Sequence, residues 1–332
     1  MKDLLKTLTQ VPSPSGYESA IREVILSEIK PYVSEIRVDA LGNIIARKGK
    51  KTEKGLRVMV AAHMDEIGVI ASHIEKNGLV RFSNIGSLFA RYLPGSRVKF
   101  LNGASGVIDS DKPHDLSRIQ PISQFFIDTG ATSEKDSLVK PGDLGVFDRE
   151  FSDLGRRVVS KALDNRASCA LVIETIKQLA SSPHELNFVF SVQEEVQSRG
   201  ATTAAYGLDL DLGIAVDVTP VGNIAGMKMQ VNLGDGPAIK IRDVGFIADP
   251  SVVDWMIATA KKARIPHQLE VLTIGSTDAR VMQISRAGML SGVLSIPCRY
   301  VHSPSEMIDM KDYENALNLL VALLSNPFPE RK

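Results

Sequence analysis

The run Leu186-Asn187-Phe188-Val189-Phe190-Ser191-Val192-Gln193-Glu194-Glu195 decides the fold. Residues 186–192 are rich in Val and Phe and too few for a helix, so they read as a buried strand. Apolar side chains on both faces imply that the sheet is covered on both sides. The run closes on two adjacent carboxylates. Like charges side by side raise each other's pKa and call for a cation or a proton nearby. In open α/β sheets, sites form at the carboxyl ends of strands, and this pair lies at such an end.

Other segments repeat the pattern. Residues 56–62 are nearly all apolar and read as a central strand ending at His63. A strand over 212–217 ends at Asp217, and one over 290–296 is followed a few residues later by His302. Helices are expected over 166–179, 252–263, 278–286 and 311–324, with a strand over 268–272. This alternation predicts an α/β fold, a mixed central sheet flanked by helices. Asp164 falls at a helix start, where backbone N–H groups favour an anion. Ser15-Gly16-Tyr17-Glu18 matches a capping box opening a helix that carries Ile21, Val24, Ile25 and Ile29, and Leu41-Gly42-Asn43 reads as a turn between two short strands.

Between Gly68 and about Ser160 the texture changes to short apolar runs separated by turn signals. Asn77-Gly78 and Asn102-Gly103 suggest tight hairpins, and Pro141-Gly142-Asp143 a turn. That is the pattern of a small β-barrel. Candidate ligands lie on both sides of it, so it reads as an insertion over 68–160 in a catalytic domain formed by 1–67 and 161–332.

Composition excludes several classes. Lys plus Arg equals Asp plus Glu at 39 each, so no overall positive field argues for nucleic acid or an anionic membrane. No apolar stretch approaches the ~20 residues of a membrane span. The start of the chain carries Asp3 and lacks the apolar core of a signal peptide. Cys169 and Cys298 sit far apart in apolar context and read as buried free thiols, with no thiolate zinc pair. The expectation is a cytoplasmic protein.

Two histidines and three carboxylates suffice to hold two divalent metals, with one carboxylate left over as a base. One carboxylate has two oxygens and can bridge two cations. His63 and Asp65 face the same side of an extended chain, which lets Asp65 hold the imidazole from behind. Glu194 and Glu195 reach one site only if their strand has ended, and Gln197-Ser198-Arg199-Gly200 allows a turn there. Taken singly, each residue has an ordinary explanation: a surface glutamate pair, an Asp164 helix cap, a loop histidine. Jointly, independent explanations for every strand or helix end are improbable. A two-metal centre polarises a carbonyl and activates water, and a free carboxylate moves the proton. Amide or ester hydrolysis fits. His73, His184 and His267 read as structural or surface residues; His114, on a loop of the insertion, stays unassigned.

At these residues the sequence resembles the di-metal aminopeptidases of metallopeptidase family forty-two, which include glutamyl, deblocking and tetrahedral aminopeptidases, some labelled cellulase M or endoglucanase. The matching stretches are Ala62-His63-Met64-Asp65-Glu66-Ile67-Gly68, Ala162-Leu163-Asp164-Asn165-Arg166, Val192-Gln193-Glu194-Glu195-Val196, Ala215-Val216-Asp217-Val218-Thr219, Ser276-Thr277-Asp278-Ala279 and His302-Ser303-Pro304-Ser305-Glu306. The resemblance implies that Asp164 bridges two metals, His63 and Asp217 complete one site, and Glu195 and His302 the other. It implies Glu194 as general base and acid, with Asp65 behind His63, and a cis peptide at Asp164-Asn165. It further implies zinc or cobalt, with manganese allowed, peptide substrates, an insertion that mediates dimerisation, and homo-oligomers from dimer to dodecamer. Two departures stand out. Gln197 occupies a position that is usually glycine, and Asn84-Ile85-Gly86-Ser87-Leu88 lacks a usual paired glycine.

The leading expectation is an aminopeptidase. An endoglucanase-type glycoside hydrolase would use two carboxylates without metal, but the imidazoles would then be idle, and one tryptophan with 5% aromatics is thin for a sugar-stacking cleft. A di-metal carboxypeptidase or deacylase would keep the centre and change the substrate. A non-catalytic assembly protein would have no use for the spare base.

Overall fold

A computed structural model describes residues 1–112, 119–226 and 228–329 of the chain; His114 lies outside the described residues. The strand Glu185–Ser191 is the pivot of the architecture. It pairs in parallel with Arg57–His63, aligning Ser191 with His63, and antiparallel with Ile44–Lys48. Arg57–His63 is in turn parallel to Leu212–Pro220, which is parallel to Leu290–Arg299. These central strands are buried along nearly their whole length. Their continuous apolar composition is what a sheet covered on both faces requires. Each fully buried Leu, Val or Phe contributes about 1.5–3 kcal/mol relative to exposure.

The sheet has eleven strands and is mixed. Glu306–Asp309 pairs antiparallel with Leu290–Arg299 and carries Arg157–Ser160 on its other edge. Ala238–Arg242 and Gln268–Val271 form a side branch. The helix Leu163–Gln178 packs on the central strands, with Lys2–Gln10, Ser19–Ile29 and Met310–Ser325 against it or beside it. The α/β class expected from the sequence is the fold observed.

Six strands from Gly68–Ile74 to Leu144–Phe147 close into an antiparallel barrel. Gly78 and Gly103 turn its hairpins at φ +89° and +94°, the left-handed conformation that the last residue of a three-residue connection needs. Val80, Phe82, Val98, Phe100, Ile108 and Ile127 fill the barrel with a core separate from that of the large sheet.

Some local expectations fail for identifiable reasons. The helix expected over 278–286 spans only Ala279–Gln283, and Arg286 takes φ +53°, which no helix continues through. Ser15 and Glu18 form no capping box: the N-cap residue Glu18 makes no side-chain cap, because both side chains are engaged elsewhere, and Ser13 Oγ accepts the first-turn N–H of Ile21 instead. Ser15 Oγ donates to Asp65 Oδ2 at 2.6 Å, and Glu18 Oε1 accepts the backbone N–H of Gly16 and Gln193. The helices Lys2–Gln10 and Arg199–Gly207 were not legible beforehand. Among the described residues no helix is long and apolar enough to cross a membrane, and both cysteines are free and buried.

Candidate metal centre

The carboxyl edge of the central strands gathers the acidic and imidazole side chains. His63 ends its strand. Asp217 lies inside Leu212–Pro220, whose pairing with the His63 strand stops at Ala215↔Ala61. The two strands separate there and a cleft opens between them. Glu194 and Glu195 follow the end of Glu185–Ser191. Gln193, Gln197 and Ser198 take φ +56°, +84° and +54°, and the N–H groups of Gln197 and Ser198 both donate to Glu194 O at 2.9 Å. This turn breaks the strand alternation, so both glutamates face the cleft. Tyr300 and His302, at φ +60° and +61°, bend the chain after Leu290–Arg299 back toward it.

Asp164 sits at the centre. Its peptide bond to Asn165 is cis. Asp164 Oδ1 is 3.1 Å from His63 Nε2, and Asp164 Oδ2 is 3.2 Å from His302 Nε2, so its two oxygens face two histidines. His63 Nε2 also lies 3.8 Å from Asp217 Oδ1 and 3.9 Å from Glu194 Oε2. His302 Nε2 lies 3.2 Å from Glu195 Oε1. Two donor sets result, His63 with Asp164 and Asp217, and Asp164 with Glu195 and His302, each with its ligand atoms within 4.8 Å of one another.

A surrounding layer, mostly unread in the sequence, fixes these groups. Asp65, fully buried, has Oδ1 3.4 Å from His63 Nδ1 and accepts the N–H groups of Glu194 at 3.0 Å and Glu195 at 3.2 Å. Glu306 accepts the N–H of Asp164 and that of His302, each at 2.8 Å. Asp278 accepts the Ser191 hydroxyl at 2.6 Å. Asp278 and Glu306 stood inside recognisable motifs without a role, since their contacts are to backbone and hydroxyl groups that spacing does not reveal.

The carboxylates outnumber the positive groups around them. Asp65, Asp164, Glu194, Glu195, Asp217 and Asp278 are all buried or nearly so. Among the described residues no Lys or Arg lies within ion-pair distance of any of them. Burial pushes Glu194 and Asp217 well above the carboxylate range; His63 opposes the rise in both, and repulsion from Asp278 adds to it. Burial acts to lower His63, yet hydrogen bonds to Asp164 and Asp65 carry it well above the ordinary imidazole value. Burial likewise acts to raise Asp164, but hydrogen bonds from His302 and His63 hold it below its usual range. Carboxylates and imidazoles crowded together in this way form groups that could hold a cation. Nitrogen and oxygen donors shared through one bidentate carboxylate suit two divalent metals.

The mixed sheet with its attached barrel, carrying paired imidazole–carboxylate sets at the strand ends, places the chain among the metallopeptidases. The model of the M42 glutamyl aminopeptidase family matches residues 42–319, and the chain belongs to that family. It is therefore an aminopeptidase, a hydrolase. It is 46% identical to a chain of Acetivibrio thermocellus provisionally designated an aminopeptidase, over 97% of both chains. It is 35% identical to the lysyl aminopeptidase of Pyrococcus furiosus, over 98% of this chain and 97% of that one. Among solved structures it superposes on the Pyrococcus horikoshii TET1 peptidase, described as assembling into a tetrahedron or a large octahedral shell. The TM-score is 0.87 at 35% identity, covering 97% of this chain and 98% of that one.

Proposed function

We propose that the protein removes N-terminal residues from peptides, with His63, Asp164 and Asp217 holding one divalent metal and Asp164, Glu195 and His302 a second. The observation that carries this reading is the division of Asp164 between His63 and His302, one oxygen to each. Bound there, the metals supply Lewis acidity toward the scissile carbonyl and lower the pKa of a water. Glu194 belongs to neither donor set, and its Oε2 faces the His63 side of the cleft. It serves as general base toward the attacking water and returns the proton to the leaving amine. Burial raises its pKa above the ordinary carboxylate value, which suits a group that takes up a proton in one step and returns it in the next. Asp65 keeps the His63 ring oriented and holds the backbone of the glutamate pair.

Zinc or cobalt is proposed as the metal, with manganese compatible with the same ligands. The barrel is proposed as the surface through which two copies pair, with dimers assembling further, as the TET1 relative does. A cytoplasmic location is proposed with it, supported by two buried thiols left unpaired.

The test is hydrolysis of aminoacyl anilides before and after chelation, with metals restored singly, alongside Glu194→Gln. Activity lost on chelation, recovered with metal and absent in Glu194→Gln supports the reading. A metal-free protein that cleaves at the undiminished rate sinks it. The same chelation separates it from a glycoside hydrolase, which needs no metal, and blocking the peptide N-terminus separates it from a carboxypeptidase or deacylase.

A further inference from the structure

Ser198 occupies the N-cap position of the helix Arg199–Gly207, yet its side chain makes no capping hydrogen bond. Serine is favoured at that position because its hydroxyl accepts an N–H of the first turn. Here the hydroxyl points elsewhere. Ser198 is fully buried, and its Oγ donates to Glu194 Oε1 at 3.1 Å. Its N–H donates to the carbonyl oxygen of the same glutamate at 2.9 Å. One residue thus grips both ends of Glu194. The Ser198 hydroxyl also contacts Asp278, but a hydroxyl has a single proton to give. Ser191 donates to the Oδ2 oxygen of Asp278 at 2.6 Å, and the Ser198 hydroxyl stands between Asp278 and Glu194 with the hydrogen-bond geometry to Glu194 Oε1.

We propose that Ser198 is a positioning residue for Glu194: it fixes the rotamer of that carboxylate, leaving the other oxygen, Oε2, directed into the cleft. The inference rests on the reading of Glu194 as the base and adds the device that aims it. Among the described residues no other donor hydrogen-bonds to Glu194 Oε1, so without the hydroxyl the side chain is free to swing away from the reacting water. Small misplacements of a proton-transfer group cost rate without weakening substrate binding. The left-handed backbone at Ser198 turns its hydroxyl away from the first-turn N–H groups, so helix capping does not account for where it points.

Ser198→Gly is the informative substitution. Glycine tolerates φ +54° and is an acceptable N-cap, so the variant folds while losing the hydroxymethyl group and with it the hydrogen bond to Glu194. The metal-loaded variant is measured for kcat and KM on an aminoacyl anilide. Bound metal is counted by elemental analysis, and the visible spectrum of the cobalt form is recorded. The expected result is a fall in kcat of roughly tenfold or more, with KM within twofold, full metal content and an unchanged cobalt spectrum. A wild-type kcat overturns the proposal. So does a loss that follows metal content or shifts the cobalt spectrum, since the hydroxyl would then serve the ligands. Glu194→Gln tests the base by itself: an inactive Glu194→Gln beside a fully active Ser198→Gly removes this inference and leaves the proposed function standing.

Discussion

Asp65 Oδ1 accepts the backbone N–H of Glu194 at 3.0 Å, and the other oxygen of the same carboxylate accepts that of Glu195 at 3.2 Å. The residue two positions after His63 therefore also holds the paired glutamates, which lie some 130 residues further along the chain. Asp65→Asn exchanges one acceptor oxygen for an NH₂ group that faces an N–H donor. The expected outcome is a fall of about 10–100-fold in kcat or metal affinity, the usual cost of losing a group that orients ligands. Steady-state kinetics with metal analysis checks it; a variant within twofold of wild type on both counts would remove Asp65 from this role.

His184 is expected to carry a pH dependence that lies away from the candidate metal centre. Its Nδ1 accepts the N–H of Leu56 at 3.0 Å and its Nε2 reaches Asn326 O at 2.9 Å, the pattern of one neutral tautomer. Burial lowers its pKa from 6.5, opposed by the Asn326 contact. A depressed folded pKa means that the unfolded chain takes up the proton first. The stability His184 contributes is present above about pH 6.5 and is lost as pH falls below it. His184→Gln removes the titration. Its melting temperature should be lower than wild type at pH 7.5, and the gap should narrow by pH 5; parallel pH profiles would refute the assignment.

Lys240 and Glu270 form a fully buried pair at 2.8 Å. Glu270 also accepts the hydroxyl of Thr219 and, at 2.8 Å, that of Ser295. Lys240→Met leaves a buried carboxylate without its cation and should cost roughly 3–5 kcal/mol in denaturant unfolding. Lys240→Met with Glu270→Gln removes the stranded charge and should recover a large part of that loss. Equal instability in the single and double variants would show that packing, not charge, sets the cost.

The central strands were legible because a strand buried on both faces must be largely apolar, and residues 56–62 and 186–192 are, apart from Arg57, Asn187 and Ser191. The barrel was legible from Asn77-Gly78 and Asn102-Gly103, since few other residues turn a hairpin so tightly. Ser15-Gly16-Tyr17-Glu18 misled because a capping box and a pair of site-directed polar side chains have the same spacing; only the approach of Asp65 and Gln193 distinguishes them. Glu306 and Asp278 act on backbone N–H and hydroxyl groups brought from distant segments, and periodicity along one segment carries no information about such contacts. Arg199–Gly207 escaped notice because Gly200 and Gly207 dilute its helical signal.

Gln197 sits at φ +84°, where a side chain is disfavoured and glycine is at ease. Relief of that strain outweighs the extra chain entropy that glycine brings to the unfolded state. Gln197→Gly is expected to stabilise by up to about 1 kcal/mol, read as a rise in denaturation midpoint. A clear destabilisation would mean that the glutamine side chain makes a contact worth more than the backbone relief.

Glu306 is the counterpart of Asp65 on the opposite flank. Its two oxygens hold the N–H groups of Asp164 and His302 at 2.8 Å each, so one carboxylate sets the backbone of the proposed shared ligand and of a proposed ligand to the second metal. His302 depends on this hold more than Asp164 does. Asp164 is packed at the head of a buried helix, whereas His302 stands on a partly exposed bend at φ +61°. Loss of Glu306 should therefore weaken the Glu195–His302 metal before the His63–Asp217 metal. Glu306→Gln keeps the shape but turns an NH₂ donor toward one of the two N–H groups, so it should behave like Glu306→Ala. In dialysis against buffered metal, both variants are expected to retain one ion tightly and bind the second about 10–100-fold more weakly, with activity following the second ion. Simultaneous release of both ions would place the weak point at Asp164 instead, and wild-type retention of both would show that the His302 bend is fixed without Glu306.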